Sequence, residues 1–239
     1  MQIKLDLEGV LYRFDVSLRA KQKRIIIKPF GHHHYRVTAP KYTPKHVIKA
    51  MLEQDVTWKD TLPKMWSYEE YLMWSNTIDV LGEPYRVEWL ESNQNEVRLR
   101  AGVITVMMKK NDPIKKAQLL KHYMTRLLTK EVQWLIEAYS RKQQEINLDA
   151  TKLQFKPYRT RFGSCHTKDR VLSFNLVLAH YPIDYLEYVF VHEMVHLKEA
   201  HHGKAFYEVL ARLLPNHATL KAALNKHHEA FFKRSEVDA

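Results

Sequence analysis

The sequence predicts an α+β fold, with a strand-rich N-terminal half followed by a helix-dominated half that carries a small sheet. Three observations predict it. Apolar and polar residues alternate through much of the first hundred positions. At Asp112-Pro113 the spacing changes to that of a long helix. Two short strand-like runs, LQFKPY at 153–158 and VLSFN at 171–175, then sit inside the helical half. The change at Asp112-Pro113 divides the chain into a β-rich region over residues 1–112 and a helix-dominated domain over 113–239.

The elements follow in order. VLYRFDVSL, KRIIIKPF and YRVTAP read as strands bounded by breakers such as Gly31 and Pro40. A helix is predicted from Thr43 to about Leu62, with Thr43 as cap and Pro44 at its first position, where the missing N–H costs nothing. PYRVEWL, EVRLRA and VITVMMKK after Gly82 read as further strands. The long helix from Asp112-Pro113 to about Glu145 presents Leu119, Tyr123, Leu127, Val132, Leu135 and Tyr139 on one face. RFGSCHTKD reads as a tight segment between two strands. Pro182 starts a helix running to about Glu199, and the last forty residues are helical with a break at Pro215.

Composition narrows the function. With 45% hydrophobic residues the 239-residue chain can bury a core. The opening residues lack the layout of a signal peptide and no apolar run spans a membrane, so a soluble, cytoplasmic protein is expected. The single cysteine, Cys165, excludes a multi-cysteine metal site and suits a reducing compartment. Lys and Arg number 38 against 27 Asp and Glu, a formal +11 that attracts nucleic acid, nucleotides or acidic proteins without selecting among them. Much of this charge is read as a solvated surface.

Residues 192–196 read HEMVH. A separation of four places His192 and His196 about 40° apart on one helical face, so two imidazoles can meet one metal. Zinc takes three protein ligands in catalytic sites and makes water acidic enough to attack near neutral pH; Glu193 stands where a carboxylate can take its proton. Burying these three polar residues among Val189, Phe190, Val195 and Leu197 needs a purpose. A third ligand is expected nearby. His202 requires the helix to end near Glu199 or Ala200, because an unbroken helix would carry it about 120° from His196. His201 and Glu199 are its rivals.

RTRFGSC at 159–165, VLSFNLVLAHYP and YVFVHEMVHLKEAHHGKAFYEVL together resemble the YgjP-like metallopeptidase family, related to the SprT-like and WLM zinc proteins. The resemblance is close over about 159–210. It implies a zincin-like core with Zn2+ held by His192, His196 and His202 and with Glu193 as the catalytic carboxylate. Phe162 stands where the family has tryptophan, and His201 replaces an asparagine before the third ligand. The family also suggests that Asn175 fixes its strand against the site.

Other residues carry weaker signals. Ser164 lacks a G-x-S-x-G elbow, so Ser164 and Cys165 are read as structural, with Gly163 allowing a strand or turn close to the metal helix. Arg159 or Arg161 would line the cleft and contact substrate or a developing oxyanion, or else form a salt bridge. His32, His33 and His34 read as an exposed turn, and His227 and His228 as a solvated helix face.

The first reading is therefore a zinc metallopeptidase acting on a peptide or protein, with Val171–Asn175 as an edge strand that aligns it. A hydrolase of nucleotide phosphoanhydrides would use the same metal site with its arginines. A nucleic-acid-associated module with structural zinc would need a fourth ligand, for which no cysteine is near.

Overall fold

The computed structural model describes residues 1–7, 10–31, 34–58, 68–158 and 160–234. His32, His33 and Arg159 lie outside the described residues. The chain divides into two compact units, Met1–Trp74 and Ser75–Asp238. The fold is α+β, as the sequence predicts.

The first unit is built on strands β1 (Gln2–Leu7), β2 (Val10–Arg19), β3 (Ile26–Gly31) and β4 (His34–Pro40), in the order β1-β2-β4-β3. β1 was not predicted, although its alternation is plain once paired: Ile3 and Leu5 are buried while Gln2 and Lys4 are exposed. Helix α1 (Lys45–Gln54) buries Ile48 and Leu52. It starts one residue later than predicted, with Pro44 at the cap position, and ends well before Leu62. The Asp55 carboxylate accepts from the Thr57 amide (3.1 Å) and hydroxyl (2.6 Å), turning the chain. Trp58 can then return to the core, where its indole donates to the Leu52 carbonyl at 3.0 Å and meets Tyr12, Phe14 and Tyr35 edge-on. Helix α2 (Tyr68–Trp74) closes this unit.

The second unit opens with a sheet of β5 (Thr77–Val80), β6 (Glu83–Glu91), β7 (Glu96–Arg100) and β8 (Val103–Met108), ordered β5-β6-β8-β7. These strands, read in the sequence as part of the N-terminal β-rich region, share a unit with the helices. The reason lies at the β5–β6 turn. Gly82 has φ +90°, and a Cβ there would come within 3.1–3.2 Å of Pro182. Leu81 N–H donates to the Ala179 carbonyl at 2.9 Å, and buried His180 donates from Nδ1 to the Asp79 carbonyl at 2.6 Å.

Helix α3 (Pro113–Lys142) is capped by Asp112, whose carboxylate accepts from the amides of Ile114 and Lys115. Its C-terminal half buries Val132, Leu135 and Tyr139 as predicted. Its N-terminal half buries Ala117, Leu120, Met124 and Leu128, not Leu119, Tyr123 and Leu127. Leucine doublets at 119–120 and 127–128 leave the face undetermined by spacing, and packing selects the second member of each.

A small sheet follows, β9 (Lys152–Lys156), β10 (Gly163–His166) and β11 (Val171–Asn175), ordered β10-β11-β9. Two expectations change. Part of the tight RFGSCHTKD segment is itself a strand, and Val171–Asn175 is central, antiparallel to β10 and parallel to β9. Its backbone is used on both sides, so no peptide can pair with it. A short 3-10 helix (Leu176–His180), α4 (Ile183–Val195), α5 (Lys204–Leu213) and α6 (His217–Arg234) complete the chain. Among the described residues no helix is long and apolar enough to cross a membrane.

Candidate metal centre

Helix α4 is almost wholly buried, from Leu186 through Val195, and carries His192 and Glu193. Regular helix ends at Val195, about four residues before the predicted stop, with His196 as C-cap. The Leu197 and Lys198 amides then close tight turns onto the Met194 and Val195 carbonyls, each at 3.0 Å. The His196 ring donates from Nδ1 to the Glu199 carbonyl (3.1 Å), which leaves its Nε2 free as a lone-pair donor. Glu145 braces this return, accepting from Lys198 at 2.8 Å and from Arg212. These cations hold the Glu145 carboxyl below its ordinary range.

The returning loop brings His202 back to the helix. Ligand nitrogens of His192, His196 and His202 all lie within 4.8 Å of one another, and Nε2 of His192 and Nε2 of His202 are 3.0 Å apart. A tetrahedral zinc with bonds of about 2.1 Å separates its ligands by roughly 3.4 Å, so these rings need little adjustment to hold such an ion. Among the described residues this three-membered group is the one that converges; His201 and Glu199 are outside it. Burial, aided by the neighbouring histidines, depresses His192 to about 4, and burial also lowers His196. Neutral imidazoles offer the lone pairs a metal requires. His192 Nδ1 is buried without a hydrogen-bond partner, so the polar contact of this ring is made on its Nε2 side.

Phe206, fully buried on α5, lies against all three rings with centroids 5.0, 4.7 and 4.7 Å away. Sequence reasoning did not assign it a role. The signal available was an aromatic four residues after His202, which is equally a core pattern.

Glu193 is 6% exposed, and burial pushes its carboxyl up to about 8 against the opposing charge of Arg161. Its position depends on Gly163: a Cβ there would lie 2.7 Å from Glu193 Oε1, 2.8 Å from its Cγ and 2.9 Å from Val189 Cγ1. Only glycine lets β10 approach α4 this closely. Cys165 on the same strand is a thiol, raised to about 11 chiefly by burial, which removes the thiolate a nucleophile needs.

Asn175 is buried and uses its entire amide on backbone. Nδ2 donates to the carbonyls of Tyr158 (2.8 Å) and Arg161 (2.9 Å), while Oδ1 accepts from the amides of Tyr158 and Val177 (3.2 Å each). It thereby shapes the loop that carries Arg161, whose exposed guanidinium lies 4.4 Å from the Tyr158 ring centroid. On the other side, Lys221 and His217 of α6 add to the field that keeps His192 neutral. Tyr188, with its ring 6.0 Å from that of His192, is pushed up to about 12 by burial, Tyr207 and Glu193, and stays a protonated donor. His227 and His228 are not a solvated face: His228 Nδ1 is 2.6 Å from the Tyr181 hydroxyl, and His227 meets the same buried tyrosine edge-on. Their side chains lie over Tyr181 because α6 packs on α4.

The sequence pattern of the YgjP-like family, metallopeptidase domain, matches residues 23–227. No curated protein matches the chain. Among solved structures, the metallopeptidase zymogen of Pyrococcus abyssi abylysin is similar at 14% identity, covering 42% of this chain and 93% of that one, with a TM-score of 0.34.

Proposed function

The chain belongs to the YgjP-like metallopeptidase family, and from that premise we propose that it is a zinc-dependent peptidase with His192, His196 and His202 as ligands and Glu193 as general base. The observation that carries the proposal is the convergence of three imidazoles beside a buried carboxylate, with three protein donors and so a coordination position left for chemistry. A bound zinc ion supplies Lewis acidity toward a peptide carbonyl and toward water. Glu193 accepts the attacking water's proton and returns it to the leaving amine. It must be ionised to begin, and a divalent charge beside it, together with Arg161, opposes the burial that raises its pKa. Tyr188, a protonated phenol whose ring is 6.0 Å from that of His192, is the side chain to which we assign donation toward negative charge developing on the carbonyl oxygen. The open edge of β10 replaces Val171–Asn175 as the strand that aligns an extended peptide. Cys165, a free thiol, suits a cytoplasmic setting.

The test is Glu193→Gln. The variant is expected to keep its zinc and lose turnover by about 10²–10⁴-fold, read by mass spectrometry of new peptide termini. Full activity would remove Glu193 as the base. A second reading, hydrolysis of a nucleotide phosphoanhydride by the same residues, is favoured by Arg161 and Lys221 flanking the site with positive charge. Loss of a nucleoside triphosphate with peptides intact, abolished by Glu193→Gln, would select it.

A further inference from the structure

A second concave site lies in the same unit, on a part of α3 that the metal centre does not use. A cavity of about 620 Å³ is walled on one side by the start of β7 and on the other by α3. β7 is the last strand in its sheet's order. Its floor is Leu119, Tyr123 and Leu127, the residues that packing turned away from the core. Its rim is the exposed row His122, Arg126 and Lys130. Four residues of helix advance about 6 Å, so the row presents a basic group once per turn. Trp134, the next residue in the i, i+4 series, is 60% exposed. The one carboxylate in the lining, Glu96, is bound by Arg98 at 2.8 Å.

We propose that this groove binds single-stranded nucleic acid, with phosphates along Arg126 and Lys130 and bases stacked on Tyr123 and Trp134. Charge complementarity calls for a polyanion, and the chain's +11 gives the general attraction. The regular cation spacing suits a backbone carrying one charge per nucleotide. A large aromatic surface left in water at the end of a basic row suits a planar base more than a glutamate side chain.

The test uses the full chain and a fluorescein-labelled oligothymidylate of about a dozen nucleotides, followed by fluorescence anisotropy from about 50 to 200 mM salt. Replacing Arg126→Gln and Lys130→Gln together is expected to weaken binding at least about tenfold and to reduce the slope of log K against log salt by about 1.4, near 0.7 for each lost phosphate contact. Trp134→Ala is expected to weaken binding about tenfold with the slope unchanged. All three side chains are exposed, so the melting temperature should stay at the parental value in each variant. Metal-free protein should bind equally well, which keeps this outcome separate from the peptidase reading. Absence of binding at low salt, or parental affinity and slope in the double variant, would overturn the proposal. Displacement by polyglutamate as effective as by unlabelled oligothymidylate would also overturn it and make an acidic peptide the occupant.

Discussion

Replacing Gly163 by alanine adds one carbon at the point where β10 meets α4. That carbon would stand 2.7 Å from Glu193 Oε1, 2.8 Å from its Cγ and 2.9 Å from Val189 Cγ1. Ordinary carbon contacts are about 3.5–4.0 Å, so separations must grow by more than about half an ångström. Rotation of the carboxylate could relieve the first contact alone. Cγ of Glu193 and the Val189 methyl stand one turn apart on a buried helix, so strand and helix must part. Overpacking of this kind costs about 1–3 kcal/mol, which for a chain of this size lowers the melting temperature by roughly 2–12 °C. The metal ligands are untouched, so zinc stoichiometry should be parental. The base moves by a fraction of an ångström to an ångström, and kcat/KM should fall by about 10²-fold. Thermal denaturation, metal analysis and peptide turnover on one preparation check all three. Parental melting temperature and turnover in Gly163→Ala would refute the claim that this contact sets the position of Glu193.

Three further outcomes are expected. His202→Ala should lower zinc affinity by orders of magnitude while His201→Ala leaves it intact, measured by competition with a chromogenic chelator; equal losses would return His201 to the ligand set. Phe206→Ala should cost about 3–5 kcal/mol of stability and weaken metal binding about 10–100-fold, because the three rings lose the surface they rest on; urea denaturation and the same competition assay read the two effects. Buried His180 is depressed to about 4 from an ordinary 6.5, so the unfolded chain takes up its proton first. Its contribution to stability is therefore complete above about pH 6.5 and lost as pH falls toward 4, about 3 kcal/mol in all. His180→Asn, which keeps a donor for the Asp79 carbonyl but does not titrate, should flatten that acid limb in urea melts at the two pH values.

Much of this protein is legible without coordinates. The i, i+4 spacing of HEMVH puts His192 and His196 on one helical face whatever surrounds them, because the helical repeat is fixed by backbone geometry. Asp112-Pro113 starts α3 for the same local reason: the cap and the proline act within a few residues of themselves. Where information is local, the sequence carries it. Which of two adjacent leucines faces the core, whether VLSFN is an edge or a central strand, and where the helix that carries His192 stops are settled by partners far along the chain. Leu120 and Leu128 turn inward over their neighbours, β9 supplies the second partner of β11, and Glu145, just past the end of α3, draws Lys198 and Arg212 together. The return of His202 to His192, the clearance at Gly163 and the floor at Phe206 all depend on packing between α4, α5 and β10. No spacing rule encodes them, because each is a distance between segments that the sequence holds apart and only the folded core brings together.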